Sequence, residues 1–149
     1  MSTQFVGGTR IVGLLNLALD EAVGYLNGEV ASGHPELRPA HLQLFRTGTL
    51  EGRRVTELAA RTRMTKQAMH ELVVRLESLG YLRREVDPED IRARRIILTE
   101  RGRTLEAEVA AASVRLHLRW RDTLGDELFV ALETALGKLT GQGTPAAVP

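Results

Sequence analysis

The chain contains no cysteine. That excludes disulfides, thiolate nucleophiles and thiol-based redox sensing together. Aromatic residues are scarce, with three Phe, two Tyr and one Trp, so a large aromatic-lined active site is not expected. Long apolar runs are missing too. The longest, IVGLLNLAL from Ile11 to Leu19, falls far short of the ~20 residues that a membrane span needs. No basic stretch with a long apolar core opens the sequence, so the expectation is a cytoplasmic chain with no signal peptide and no membrane partner. The four histidines, His34, His41, His70 and His117, are scattered without metal-ligand spacing. The GxSxG, GxxxxGK and GxGxxG patterns do not occur. Glu106 and Glu108 cannot act as a carboxylate pair, because side chains at i and i+2 diverge on a helix. The expectation is a protein that is not an enzyme and holds no metal or cofactor.

What is present is helical patterning around a basic middle. Eleven basic and seven acidic residues lie between Arg53 and Arg95, against nine basic and twelve acidic elsewhere. A local positive excess in a chain of formal net charge +1 is either an electrostatic footprint for nucleic acid or a solvated charged face. The basic residues are nearly all arginine, which fits a high G+C coding bias and says nothing of function.

The N-terminal residues 1–9 read as frayed. The pattern from about Arg10 to Val30 is helical, with Ile11, Leu14, Leu15, Ala18, Ala22, Tyr25 and Leu26 on one side and Leu17 and Leu19 elsewhere. A helix of that length has more apolar surface than a small domain can cover, which argues for a partner helix from another subunit. A loop over 31–36 leads to a shorter helix from Leu37 to about Thr47, with Pro39 in its first turn. Gly48 to Arg54 reads as a turn. Thr99 then caps a long helix to Leu124 with Leu105, Val109, Ala112, Leu116 and Trp120 as its stripe. After Gly125, with Asp126 as cap, a last helix runs to about Leu139, carrying Leu128, Val130, Ala131, Leu132, Ala135, Leu136 and Leu139. Gly141 onward reads as a flexible tail.

The informative stretch is Val55 to Thr99. Thr56 is an N-cap candidate with Leu58, Ala59 and Thr62 following at helical spacing. Arg63-Met64 interrupts, and Thr65 offers a second N-cap. Met69, Leu72, Val73, Leu76 and Leu79 then form one stripe, closed by Gly80. Two helices so joined make a helix-turn-helix, whose second helix presents its first turns to base edges in the major groove. Leu82, Arg84 and Val86 alternate with Arg83 and Glu85 as a strand. Asp87-Pro88 breaks it, Arg95 to Thr99 returns, and the tip between them carries Glu89, Asp90, Arg92 and Arg94. Such a hairpin is a wing, and its tip arginines suit a narrow minor groove.

In VTELAARTRMT, LVVRLESLGYLRREVDPED, and Asp90-x-Arg92-x-Arg94 leading to Leu98-Thr99-x-x-Gly102, the chain resembles the multiple-antibiotic-resistance regulator (MarR) family. The likeness covers most of the chain, and the hairpin with its Leu-Thr-x-x-Gly exit is its specific part. It implies a mostly α fold with a small β-hairpin wing, a winged helix-turn-helix. Long N- and C-terminal helices would form a dimerisation region. The expected organisation is a dimerisation and support segment over 1–48, the winged helix-turn-helix over 49–99, and C-terminal dimerisation helices with the tail over 100–149. The absence of cysteine excludes the family's peroxide-sensing branch.

The function implied is a sequence-specific DNA-binding transcriptional regulator. It would be a homodimeric repressor on a pseudo-palindromic double-stranded operator, relieved by a small aromatic or phenolic effector. The alternative is a sequence-tolerant DNA-binding or protein-contact module. On the recognition helix Thr65, Lys66, Gln67, His70 and Arg75 are the DNA-binding candidates. Gln67 can read adenine bidentately and Lys66 guanine or phosphate. Arg75 is either a phosphate clamp or an ion-pair partner of Glu71. The wing candidates are Arg92 and Arg94, with Asp90 bracing the hairpin. Tyr25, His41, Phe45 and Trp120 are candidates for an effector pocket; the alternative, which the residues favour, is that Phe45 and Trp120 are core and His41 a satisfied surface residue. Where the family usually has a Ser or Thr cap before the second helix, this chain has Arg38.

Overall fold

The structure, a computed structural model, describes residues 10–48 and 50–142. The expected frayed segment 1–9 and most of the expected C-terminal tail lie outside them. In chain order the elements are α1 (Arg10–Ala31), α2 (Pro39–Arg46), α3 (Val55–Thr62), α4 (Lys66–Ser78), β1 (Leu82–Asp87), β2 (Asp90–Leu98), α5 (Glu100–Leu124) and α6 (Asp126–Thr140). They make a mostly helical winged helix-turn-helix with a two-stranded antiparallel hairpin, as expected. The chain divides into two units, one up to Ala112 and one from Ser113.

The first unit is organised on α4. Met69, Val73 and Leu76 are completely buried, and Leu72 and Leu79 pack against them, which is the stripe read from the sequence. Leu44 and Phe45 of α2, Leu58 of α3, Ile96 and Leu98 of β2 and Leu105 of α5 close the same core. Gly80 ends α4 in the left-handed region, at φ 79°. The amide of Gly80 donates to the Glu77 carbonyl and that of Tyr81 to the Leu76 carbonyl, both at 3.0 Å, a Schellman termination.

The Leu-Thr-x-x-Gly exit now has a physical reason. Thr99 Oγ1 accepts the Gly102 amide at 3.1 Å as the cap of α5 and donates to the Gly80 carbonyl at 2.6 Å. A Cβ on Gly102 would stand 1.9 Å from the Tyr81 carbonyl oxygen. Only glycine lets α5 start this close to the end of α4.

Several helix starts differ from the sequence reading. Thr56 is not the cap of α3. The chain at Gly52 to Arg54 is held against β2, with Gly52 donating to the Ile96 carbonyl at 2.8 Å and Ile96 to the Arg53 carbonyl at 2.9 Å. The helix therefore starts at Val55, and the Glu57 carboxylate accepts the Arg54 amide. Asp126 is not a cap either: Gly125, at φ 77°, holds that position, and the Asp126 carboxylate accepts from Arg121 Nε at 2.5 Å. At α2, Arg38 stands at the cap without a side-chain cap bond. Three residues on, His41 Nδ1 accepts the Arg38 amide at 2.9 Å, so a ring nitrogen does what the Glu of a capping box does.

In the second unit the residue of α6 that the sequence reading passed over is the one that is buried. Leu128 and Leu139 are 63% and 77% exposed, whereas Phe129 is buried, its ring edge-on to His117 at 4.5 Å. A small apolar cavity of about 210 Å³ lies between Leu116, His117 and Trp120 of α5 and Phe129, Leu132 and Leu136 of α6. No helix among the described residues is long and apolar enough to cross a membrane.

Candidate nucleic-acid interface

Thr65 caps α4 as expected, its Oγ1 accepting the Ala68 amide at 3.1 Å. That cap fixes the first turn so that Thr65, Lys66 and Gln67 are all exposed, with His70 exposed one turn on. Arg63 precedes it in the left-handed region at φ 55°, making the tight turn from α3. The N-terminal end of α4 also carries the positive pole of the helix dipole, which favours phosphate. Gln67 Nε2 reaches Glu71 Oε1 at 3.4 Å, too long a hydrogen bond to hold the amide away from another partner.

The arginines of the basic middle divide into two groups. Strand and framework arginines are neutralised in place. Arg84 binds Glu77 through Nε at 3.0 Å and Nη2 at 2.7 Å, while its amide donates to the other carboxylate oxygen. This pairing, with the hydrogen bonds first, holds the Glu77 carboxyl below the ordinary range. Arg83 pairs with Glu85 at 2.9 Å, and Arg54 Nε with the buried Asp87 at 2.6 Å. Among the described residues, Arg63, Lys66 and Arg92 have no acidic partner within 4.0 Å. Unneutralised charge is therefore present at the helix-turn-helix turn, on the first turn of α4 and at the wing, and also at Arg53, Arg61 and Arg75, which form no ion pair among the described residues.

The wing is longer than the sequence reading had it, because β2 starts at Asp90 and not at Arg95. Val86 pairs with Arg94 and Asp87 with Asp90, so Ile91, Arg92 and Ala93 form an irregular stretch opposite a single step of β1. Asp90 Oδ1 accepts the Arg92 amide at 3.0 Å. Arg94 folds back, Nη1 donating to the Ile91 and Ala93 carbonyls at 3.2 and 3.3 Å. Val86, on the same side of its strand as the buried Leu82, is half exposed because the hairpin has left the core by that point.

Sequence reasoning missed the base of the wing. Asp87 accepts the Glu89 amide at 2.9 Å and the Arg54 guanidinium, and these bonds hold its carboxyl below the usual aspartate range. Asp87-Pro88 signalled a break in the strand, but nothing local pointed to Arg54, which stands far back in the chain. Glu51, which accepts the Leu98 amide at 2.6 Å, and Glu106, which accepts the Leu50 amide at 3.1 Å, were missed for the same reason.

The four candidates for an effector pocket stand in different surroundings. Phe45 is core, Tyr25 is half-buried on α1, and Trp120 lines the small cavity of the second unit. Only His41 lines a polar cleft of about 630 Å³, with Arg38, Arg75, Glu71, Leu72 and Glu36 around it. Burial, then Arg75 and Arg38, push the His41 imidazole below the ordinary histidine range and keep it neutral, as its role as acceptor requires. Arg75 forms no ion pair with Glu71. It faces this cleft instead.

A family model described as MarR family matches residues 37–93. The chain is similar in structure to MarR, with 27% identity over 95% of each chain and a TM-score of 0.70. It is also similar to CouR of Rhodococcus jostii RHA1 bound to p-coumaroyl-CoA, with 23% identity over 99% of this chain and 100% of that one, at a TM-score of 0.72. A structure of the transcriptional repressor CouR on a 23-mer DNA duplex gives 23% identity over 93% and 99% of the chains and a TM-score of 0.70. No curated protein sequence matches the chain.

Proposed function

Because the chain is a winged-helix regulator of the MarR family, we propose that it binds a pseudo-palindromic duplex as a homodimer and represses transcription by occupying a promoter. One observation carries this reading. Among the described residues Arg63 on the turn before α4, Lys66 on its first turn and Arg92 and Arg94 on the wing form no ion pair, while Arg83, Arg84 and Arg95 of the strands are held by carboxylates. In this reading Lys66, Gln67 and His70 meet the major groove, Thr65 sets the first turn, and Arg92 enters the minor groove with Arg94 beside it and Asp90 fixing its backbone. Arg75 is the weakest of the DNA contacts proposed, since it faces the cleft. The exposed apolar residues of α1, such as Ile11 and Leu17, and of α5 and α6, such as Leu118 and Leu139, support a second copy as partner. The cleft at His41, with Arg38 and Arg75, suits a small anionic effector, aromatic or phenolic, whose binding would relieve repression.

The test is a fluorescence-anisotropy titration on the DNA flanking the protein's own gene, with scrambled duplex as competitor. Specific binding should survive the competitor by ~10³-fold or more. Arg92→Ala should weaken binding to all duplexes and lower the salt slope by about one, and Gln67→Ala should relax sequence preference. Binding abolished by scrambled DNA would instead indicate a sequence-tolerant or protein-contact module.

A further inference from the structure

Away from the DNA-facing residues, the first unit holds a partly buried polar cluster whose hydrogen-bond geometry constrains where its protons sit. Tyr81, the residue after the Schellman turn of α4, is fully buried, yet its hydroxyl lies among charged groups. It donates to Glu36 Oε1. Glu36 also accepts from Arg101 Nη2 at 2.5 Å, and the Arg101 guanidinium lies 4.3 Å over the Tyr81 ring. A carboxylate so served stays ionised, and the Tyr81 hydrogen is committed to it. His34 Nδ1 stands 2.6 Å from the Tyr81 hydroxyl oxygen, and its Nε2 stands 2.8 Å from Glu108 Oε2. Both neighbours are therefore acceptors. A neutral imidazole has one N–H and can serve only one of them, whereas an imidazolium serves both. With His34 protonated, two cations (His34 and Arg101) face two anions (Glu36 and Glu108). With it neutral, one negative charge of the cluster is left uncompensated beside the buried Tyr81 and His34.

The cluster joins three parts of the chain. His34 is fixed to the end of α1 by the hydrogen bond its backbone N–H donates to the Ala31 carbonyl at 3.2 Å. Tyr81 marks the end of the recognition helix. Glu108 and Arg101 belong to α5, and Arg101 Nη1 also donates to the Leu79 carbonyl at 2.7 Å. We propose that His34, as an imidazolium between Tyr81 and Glu108, is a positioning residue for DNA binding that sets the recognition helix against α1 and α5 and loosens it on deprotonation. A ring that keeps its Nδ1 proton turns a lone pair on the Glu108 carboxylate, and Glu108, half exposed, leaves for solvent. A ring that keeps its Nε2 proton loses the Tyr81 oxygen, or draws the hydroxyl hydrogen away from Glu36. Either way one link is lost, and the two recognition helices of a dimer lose their fixed spacing. Duplex affinity should therefore fall as His34 loses its proton.

The inference rests on the DNA-binding reading, and its test separates the two. Long-range ¹⁵N–¹H correlation of the full-length protein without DNA reports the His34 protonation state directly, and anisotropy on the flanking duplex is followed from pH 5.5 to 8.5. The expected result is an imidazolium at His34 at the acid end, with affinity falling about fivefold or more as that signal converts. Glu108→Gln keeps an acceptor but removes its charge, so it should move both midpoints together to lower pH. His34→Gln should flatten that part of the profile, while His70→Gln in parallel reports the separate effect of a histidine at the DNA. A singly protonated His34 at the pH of tightest binding, or an unchanged slope in His34→Gln, would overturn the proposal. If no duplex binds at any pH, the DNA-binding reading fails, and with it the positioning role, even if the His34 imidazolium is observed.

Discussion

The winged-helix segment and the long helices treat their apolar residues in opposite ways. From α2 to β2 most large apolar side chains are inside, Val74, Val86 and Ile91 excepted, and nearly every polar group at the base of the wing has a partner. On α1, of twenty-two residues, only Val30 is buried, and Ile11 is 70% exposed. The same polar-apolar periodicity runs through both, so periodicity alone does not separate a finished core from half of an interface. What separates them is whether another element of the same chain arrives to cover the stripe. Around α4, neighbours come from α2, α3, β2 and α5. Over most of α1 none of the described residues does, and the uncovered face is the physical basis for proposing a second copy.

That contrast can be broken first at its tightest point. Gly102→Ala drives a methyl into the Tyr81 carbonyl, and relief requires α5 to shift away from the end of α4. A loss of about 3 kcal/mol or more in urea unfolding is expected, at the upper end for overpacking because the obstacle is backbone. The opposite side is tested by Leu17→Glu with Leu118→Glu. Their side chains are exposed, so helix content should persist while sedimentation velocity shows the dimer replaced by monomer. An unchanged dimer would place the interface elsewhere.

A smaller effect separates the two kinds of cap. His41 is neutral in the folded state and its ring is pushed down, so the stability it supplies is complete above about pH 6.5, the unfolded histidine value, and is lost as pH falls through the lower folded value. His41→Gln keeps an acceptor at that position and should remove this loss, read from thermal unfolding between pH 7.5 and 4.5. Smallest is Arg38→Ser, which supplies the missing cap oxygen at α2 and should add about 1 kcal/mol. At the base of the wing the sign is the usual one for carboxylates. Asp87 is held below its ordinary value, so its contribution is present at neutral pH and disappears on acidification.

The fold was legible where one stretch of chain carries its own reason. The α4 stripe, the Thr65 cap, the Gly80 stop and the Thr99 cap could each be read from neighbouring residues. The sequence reading of α6 passed over Phe129 because its burial depends on His117, a residue of another helix. The wing was read too short because the Asp90 side chain carries the backbone onward past the turn. The polar cluster at Tyr81 was not legible at all. Its members lie 47 and 74 residues apart along the chain, and none forms a pattern with its neighbours. Among the site residues, the exposed first turn of α4 followed from helical geometry. The cleft at His41 depends on how α2 meets α4, which no local pattern encodes.

Hydroxyl-radical footprinting of the flanking duplex, with the intact protein and with Arg92→Ala, tests the central reading most directly. Two related blocks of protection centred about one helical turn apart, ~34 Å, with outer minor-groove protections lost in Arg92→Ala, is the result expected of a winged-helix dimer. A single unsymmetrical block, or a pattern that Arg92→Ala leaves intact, would contradict it.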